Sequence, residues 1–109
     1  MTFMVKRYFI YILASKMRGV LYIGFTSDLS IRVSQHKHEE LEGFTKRYFV
    51  KRLVYYEMFE DPSSGIEREK QLKKWNRAWK IKLIEKHNPE WLDLFKDGEI
   101  LPLPIGGSK

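Results

Sequence analysis

Two short runs rich in aromatic and β-branched residues lie near the start of the chain, at residues 8–13 (YFIYIL) and 20–25 (VLYIGF). The segment between them contains serine, lysine and glycine, which favour a turn, so the two runs predict a β-hairpin. If the turn holds an even number of residues, Tyr11 falls opposite Tyr22. We therefore expect two phenols to stand side by side on one face of the hairpin.

The rest of the chain supplies one more strand and several helices. The third strand is predicted at residues 48–59, which are dense in valine, tyrosine and phenylalanine. Helix-capping residues and helical spacing predict helices at residues 29–40, 66–75 and 78–86, and a short helix opened by Asn88 and Pro89. The order β-β-α-β-α-α predicts an α+β domain in which helices flank a three-stranded antiparallel sheet.

The length of the chain, 109 residues, suits one domain with one core. We expect residues 1–97 to form that domain. Residues 98–109 contain prolines and glycines and show no periodicity, so a flexible C-terminal tail is predicted there. A hydrophobic content of 43% argues against a chain that is disordered throughout.

The charge balance points to an anionic partner. Twenty Lys and Arg residues against 14 Asp and Glu give a net charge of +6, which favours nucleic acid or a lipid surface. The sequence has no apolar run long enough to span a membrane and no signal-peptide pattern, so we expect a soluble, cytoplasmic protein. Because cysteine is absent, any metal must be bound through oxygen or imidazole ligands.

One carboxylate interrupts an apolar stripe in the second half of the chain. The stripe is predicted at Ile66, Leu72, Trp75 and Trp79. Glu69 completes its spacing, and its carboxylate either reaches water and pairs with Arg68 or Lys73, or binds a metal. Magnesium needs only one or two protein carboxylates besides waters and phosphate oxygens. The sequence alone leaves both interpretations open.

A second candidate group lies on the first predicted helix, where Arg32 and His36 share a face. Arginine suits bidentate phosphate binding, although these two residues are also what a solvated helix face carries. Tyr11 and Tyr22 are likewise either site residues or packing residues of the sheet. His36, His38 and His87 lack the spacing of a zinc site.

The order and spacing of these candidates resemble those of the GIY-YIG endonuclease superfamily. The matching segments are Phe9-Ile10-Tyr11, Tyr22-Ile23-Gly24, Arg32, His36 and residues 68–75, which resemble the helix that bears the metal-binding glutamate of that family. The resemblance covers residues 8–94 and is closest to the small stand-alone bacterial members of the Uri-type or UPF0213 branch. Phe9 replaces the first glycine of the motif, and Arg32 is the one arginine present where the family commonly has a pair.

This resemblance implies a metal-dependent DNA endonuclease that hydrolyses phosphodiester bonds. Glu69 would hold a single Mg²⁺ or Mn²⁺, and Arg32 would stabilise the charge on the transferring phosphoryl group. Tyr11 would be the general base, Tyr22 would position the water, and His36 would assist proton transfer. A phenol is a poor base at neutral pH, so we expect Arg32 and the metal to lower the pKa of Tyr11.

The expected partner is DNA, duplex or branched, bound by a monomer, with a structure- or damage-directed role in DNA repair. Gly24 would let the DNA backbone approach the second strand. Basic candidates for phosphate contact are Lys46, Arg47, Lys70, Lys73, Lys74, Arg77 and Lys80. The alternative to phosphate contact is a solvated charged surface. The alternative to the nuclease is a non-catalytic nucleic-acid-binding or partner-docking module with the same fold.

Overall fold

The computed structural model describes residues 6–105 and contains a three-stranded antiparallel sheet. Its strands are β1 (Tyr8–Ala14), β2 (Leu21–Thr26) and β3 (Arg52–Phe59), in the order β2-β1-β3. The fold is therefore the predicted α+β arrangement, with β1 in the centre and β2 at one edge. The long third run of the sequence enters the sheet only from residue 52 onward.

Four helices pack around the sheet. They are α1 (Leu29–Lys37), α2 (Phe44–Arg47), α3 (Pro62–Lys74) and α4 (Arg77–His87). The carboxylates of Asp28 and Asp61 and the amide of Asn76 accept backbone N–H groups at the starts of α1, α3 and α4, as N-cap residues do. Across residues 6–105, no helix is long and apolar enough to cross a membrane.

The hairpin register differs from the predicted one by two residues. Tyr11 lies opposite Gly24, and Tyr22 lies opposite Leu13. A shift of two residues keeps every side chain on the same face, so the phenols of Tyr11 and Tyr22 are still neighbours. A Cβ atom on Gly24 would lie 2.4 Å from the Tyr11 ring. The Tyr11 ring therefore requires glycine at position 24, and contact of Gly24 with DNA stays a prediction.

Both faces of the central strand are buried. Ile10 and Ile12 point toward the core under α3 and α4, whereas Tyr11 and Leu13 point toward the core under α1. The first core is completed mainly by Ile23, Val54, Tyr55, Leu72, Ile84 and Trp91, and the second by Leu29, Val33, Val50, Leu53 and Leu94. The alternation of β1 thus divides the molecule into an α3–α4 face and an α1 face.

The predicted apolar stripe is only partly right. Leu72 is fully buried, but Ile66 is 38% and Trp79 is 56% exposed. For Trp79 the reason is the helix break: α3 ends at residue 74 and α4 starts anew at residue 77, so one helical spacing cannot connect residues on both sides. Trp75 lies at the break, half-buried, with its ring against that of Trp79.

The predicted short helix at Asn88 does not form. Asn88 instead ends α4, and its buried side-chain amide donates to the carbonyls of Val54, at 3.0 Å, and Leu92, at 2.9 Å. Its side-chain oxygen accepts the backbone N–H of Leu92. This asparagine satisfies backbone groups of the following segment, which therefore crosses β3 in an irregular conformation.

The prediction of a flexible tail is wrong for residues 98–105. β4 (Phe95–Lys96) pairs with β5 (Glu99–Ile100) through a turn at Gly98, whose φ of +80° suits glycine. The Tyr56 hydroxyl donates to the Leu101 carbonyl at 2.8 Å. Residues 106–109 of the predicted tail lie outside the described residues.

Candidate active site

A cleft of about 340 Å³ opens at the free edge of the sheet. Because β2 is an edge strand, side chains from both faces of the sheet meet there. Tyr22 comes from the α1 face, and Lys73 comes from α3 on the opposite face. The cleft is lined by Leu21, Tyr22, Ile23, Phe44, Lys73 and Lys80. Two of the predicted phosphate-binding lysines therefore lie beside one of the predicted tyrosines.

Behind Tyr22 lies a buried chain of three hydrogen-bonding side chains. The Tyr11 hydroxyl is 3.0 Å from His36 Nε2, and His36 Nδ1 is 2.9 Å from Thr45 Oγ1. Tyr11 is fully buried, and His36 and Thr45 are 3% and 4% exposed. The sequence produces this contact because His36 is two turns along α1 from the buried Leu29 and therefore faces the same core.

The environment keeps the phenol and the imidazole neutral. Burial raises the pKa of Tyr11 above its ordinary value, and Tyr22 raises it further, although Arg32 offsets part of the shift. Burial and the charge of Arg32 lower the pKa of His36 to about 4. Arg32 lowers the pKa of Tyr11 as expected, but burial outweighs the arginine, so Arg32 alone does not bring it below that of a free phenol.

Both neutral tautomers of His36 satisfy these hydrogen bonds, because the Tyr11 and Thr45 hydroxyls can each donate or accept. In the tautomer with its proton on Nδ1, the imidazole donates to the Thr45 hydroxyl oxygen, and Nε2 accepts the phenol proton of Tyr11. This tautomer gives Tyr11 a proton acceptor.

Tyr22 is the phenol that a molecule in the cleft can reach. Its ring centroid is 6.2 Å from that of Tyr11 and 5.4 Å from that of His36, yet Tyr22 is only half-buried. Arg32 is half-buried on the same face of α1 and acts on both Tyr11 and His36. The fold therefore brings four predicted site residues together, with Tyr22 in front and Tyr11 behind.

Glu69 lies beside the cleft and pairs with one of its lysines. The carboxylate is 2.9 Å from Lys73 Nζ, and its side chain is 19% exposed. Pairing with Lys73 was one of the two interpretations open from the sequence. Arg68, the other possible partner, binds Glu57 instead, with its Nε 2.9 Å from a carboxylate oxygen. The salt bridge orients Glu69 and connects it to the cleft.

The chemistry of the available ligands fits magnesium better than zinc. Among residues 6–105, no three His, Cys, Asp or Glu side chains are grouped so that they could share a metal. A lone, partly buried carboxylate such as Glu69 suits Mg²⁺, which keeps several waters and takes the remaining ligands from substrate phosphate. Structural zinc requires four protein ligands and catalytic zinc three.

The other predicted basic residues are dispersed over the surface. Lys46 and Arg47 are on α2 at the outer side of Phe44, and Lys70 and Lys74 are exposed on α3. Arg77 has a structural contact, since its guanidinium donates to the Gly19 carbonyl at 2.7 Å and also to that of Arg18. Arg77 therefore holds the hairpin turn against α4.

Sequence reasoning missed the contribution of α2. No helix is predicted from the sequence for residues 43–47, yet they contain Phe44, which lines the cleft, and Thr45, which is hydrogen-bonded to His36. A helix of four residues is too short to show a periodicity. The signal that was available is the density of aromatic residues around Lys46 and Arg47, which a mere connector does not need.

Comparisons with known proteins identify a family model and several relatives that are similar to this chain. The family model described as the GIY-YIG catalytic domain matches residues 7–82. A UPF0213 protein of Staphylococcus saprophyticus is 36% identical over 78 residues, which are 72% of this chain and 94% of that protein. A UPF0213 protein of Staphylococcus aureus is 35% identical over the same coverage. The solution NMR structure of a UPF0213 protein from Bacillus halodurans matches with a TM-score of 0.47 and 25% identity, over 73% of this chain and 84% of that one.

Proposed function

This chain belongs to the GIY-YIG catalytic-domain family, and from that premise we propose that it is a metal-dependent endonuclease that hydrolyses phosphodiester bonds in DNA. One observation carries the proposal. On one side of the cleft at the edge of β2 lies the phenol of Tyr22, with the neutral Tyr11–His36 pair behind it. On the other side lies the Glu69 carboxylate, which is bound to Lys73. Acid–base groups, phosphate-binding charges and a metal-ligand candidate thus border the same space.

Hydrolysis requires water to attack phosphorus while the bond to the leaving oxygen breaks. Lys73 and Lys80 supply positive charge in the cleft, where a phosphate group would bind. Arg32, which acts on both Tyr11 and His36, stabilises the negative charge that increases in the transition state. Tyr22, the half-buried phenol, orients the attacking water.

The proton of that water needs an acceptor. Tyr22 and Arg32 both act on the Tyr11 hydroxyl, and that hydroxyl is bonded to His36 Nε2. A proton released beside Tyr22 can therefore move through Tyr11 to the imidazole. A phosphate anion in the cleft offsets the charge of Arg32 and so raises the pKa of His36, which makes the imidazole a better acceptor when substrate is bound.

Glu69 is the residue that would hold a divalent ion, which we propose is Mg²⁺ or Mn²⁺. Such an ion, when bound, neutralises charge on the phosphate oxygens and on the leaving oxygen. The contact with Lys73, at 2.9 Å, uses Oε2, so Oε1 would be available to the ion. A phosphate in the cleft would offer Lys73 a second anionic partner.

Cleavage assays with a Glu69→Gln variant test the proposal. The amide is nearly isosteric but binds a hard cation weakly, so the variant should fold and bind DNA while cleavage falls at least ~10²-fold. Glu67→Gln is the matched control, because Glu67 is exposed on the same helix. Equal cleavage by Glu69→Gln and the parent in Mg²⁺ buffer would contradict the metal-ligand role.

The substrates should be labelled flap, abasic-site, single-stranded and plain duplex DNA, each with and without Mg²⁺ or Mn²⁺. Preferential cutting of flaps or abasic sites would support a role in DNA repair. A parent protein that binds these DNAs and cuts none of them would favour the alternative function, a nucleic-acid-binding module that retains the fold.

A further inference from the structure

Three exposed aromatic residues form a surface around α2 that the hydrolysis mechanism does not use. Phe44, Tyr48 and Phe49 are 46%, 45% and 67% exposed. With Arg47 they line a second, larger cleft of about 730 Å³. We call these three residues and Arg47 the α2 aromatic surface. Large apolar rings grouped on a surface indicate a binding site more often than single exposed ones do.

The α2 aromatic surface is continuous with the candidate active site. The Phe44 ring stacks on that of Tyr22, with centroids 6.4 Å apart and planes 27° apart. On its other side, the Phe44 centroid is 4.9 Å from that of Tyr48. A row of rings therefore runs from the phenol in the catalytic cleft to the outer surface of α2.

The Phe49 ring contacts Lys51, whose Nζ lies 5.9 Å from its centroid, but neither its exposure nor its backbone favours phenylalanine. Its side chain is the most exposed of the three, and its φ of +56° lies in the left-handed region that favours glycine or asparagine. Both facts would favour a small or polar residue at this position. An aromatic ring kept there against both preferences is suited to contact with a ligand.

The groups around these rings suit nucleobases. Lys46 and Lys51 are engaged by Glu42 and Glu39, at 3.3 and 2.6 Å, so part of the positive charge is neutralised. The Arg47 guanidinium lies over the Tyr48 ring, 5.6 Å from its centroid. Rings and a planar guanidinium stack well on nucleobases, and the positive charge of Arg47 attracts the phosphates of the same strand.

We propose that the α2 aromatic surface binds unpaired DNA bases by stacking and thereby directs a single-stranded segment into the catalytic cleft. The inference rests on the proposed nuclease function and specifies its substrate class. A paired duplex buries its bases and cannot use these rings, whereas a single strand offers both bases to the rings and phosphates to Lys73 and Lys80.

Binding by fluorescence anisotropy tests the proposal in the Glu69→Gln background, which prevents cleavage. The probes are a short labelled oligo(dT) and a blunt duplex of equal length. Replacing Tyr48 and Phe49 together by Ala should raise the Kd for the single strand about 10-fold or more and change the Kd for the duplex less than about twofold. Both residues are exposed, so the variant should keep its melting temperature.

Two controls separate stacking from bulk hydrophobicity. Phe49→Tyr retains an aromatic face and should retain single-strand affinity, whereas Phe49→Leu retains only apolar volume and should lose it. Leu92→Ala removes an exposed apolar side chain, 48% exposed, outside the α2 aromatic surface and should change nothing. Equal losses on single strand and duplex, or no loss on either, would overturn the proposal.

The two measurements distinguish failure of the stacking proposal from failure of the nuclease proposal. A parent that binds single strands through these rings but cuts no DNA would support the stacking surface and refute the nuclease. A parent that cuts single strand and duplex equally, with no effect of removing the rings, would support the nuclease and refute the stacking surface.

Discussion

Two buried tyrosines, one on each face of the sheet, have similar surroundings and different partners. Burial raises the pKa of both Tyr11 and Tyr55. The Tyr11 hydroxyl meets the neutral imidazole of His36. The Tyr55 hydroxyl donates instead to the Glu57 carboxylate at 2.6 Å, and that carboxylate also receives two hydrogen bonds from Arg68.

The difference distinguishes a structural network from a candidate reactive one. Around Tyr55, the charge of Glu57 is balanced by Arg68, so a proton has no favourable place to go. Around Tyr11, the imidazole of His36 is an acceptor of variable charge, and the cleft begins at the adjacent ring of Tyr22. Burial and a shifted pKa are common to both networks, so neither property alone identifies a functional site.

The largest expected effect is the response of the two networks to acid. His36 has a pKa of about 4 in the folded protein and 6.5 as its ordinary value, so the unfolded chain binds the proton more tightly. The stability that His36 contributes is complete above about pH 6.5 and is lost as the pH falls toward 4. Chemical denaturation across this range should show a loss of about 3 kcal/mol that a His36→Gln variant lacks.

Tyr55→Phe is the control for this acid response, because it disturbs only the charged network. As the pH is lowered toward 4, the unfolding free energy of Tyr55→Phe should decrease as steeply as that of the parent. A His36→Gln variant with the same acid sensitivity as the parent would mean that His36 is not held neutral.

Substitution of Arg32, near Tyr11, and of Arg68, near Tyr55, should have different effects on cleavage and on stability. Arg32→Ala should lower kcat for DNA cleavage at least ~10²-fold with little change in Kd, because the arginine acts mainly in the transition state. Arg68→Ala leaves the partly buried Glu57 unpaired and should lower the unfolding free energy by about 2 kcal/mol. The activity of its folded fraction should stay near that of the parent. A loss confined to affinity in Arg32→Ala would make this residue an ordinary phosphate contact.

Removing single hydroxyl groups should give a smaller but similar contrast. Tyr11→Phe should slow cleavage at least ~10-fold, because the proton route to His36 is interrupted. Tyr55→Phe should cut DNA at the parental rate, and each variant should lose about 1 kcal/mol of stability for its hydrogen bond. Parental cleavage by Tyr11→Phe, measured under single-turnover conditions, would make Tyr11 a packing residue.

The smallest expected effect is on the salt dependence of DNA binding. Of the two networks, the one around Tyr11 borders the cleft, so the cleft lysines should make the phosphate contacts. Replacing Lys73 and Lys80 by Gln should flatten the plot of log affinity against log salt by about two units, at ~0.9 per phosphate contact. The matched variant replaces Lys70 and Lys74, which are exposed on α3. Equal slopes for both double variants would show that phosphate does not bind at the cleft lysines in particular.

Local signals were sufficient for most of the fold. Strand composition and the capping residues before the first two predicted helices predict the order β-β-α-β-α-α, to which the structure adds α2, β4 and β5. The common face of Tyr11 and Tyr22 was predicted correctly despite the wrong register, because an error of two residues does not change the face of a strand.

The cleft itself could not be predicted from local signals. It requires Phe44 on α2 and Lys73 on α3 to meet at the edge of β2, and these contacts are between residues far apart in sequence. The C-terminal strands were missed because each has two residues, too few for an alternating pattern. The hydrogen bond from Tyr56 to the Leu101 carbonyl, which secures this end, has no sequence signature.

The central position of β1 has a consequence for how the protein is made. Tyr8 pairs with Phe59, so the first strand cannot complete its sheet until residues 52–59 have left the ribosome. Long-range pairing of this kind slows folding, because loop closure costs entropy before contacts compensate. The tyrosines and His36 are synthesised early and aligned late, so a nascent chain has the reactive groups without the site.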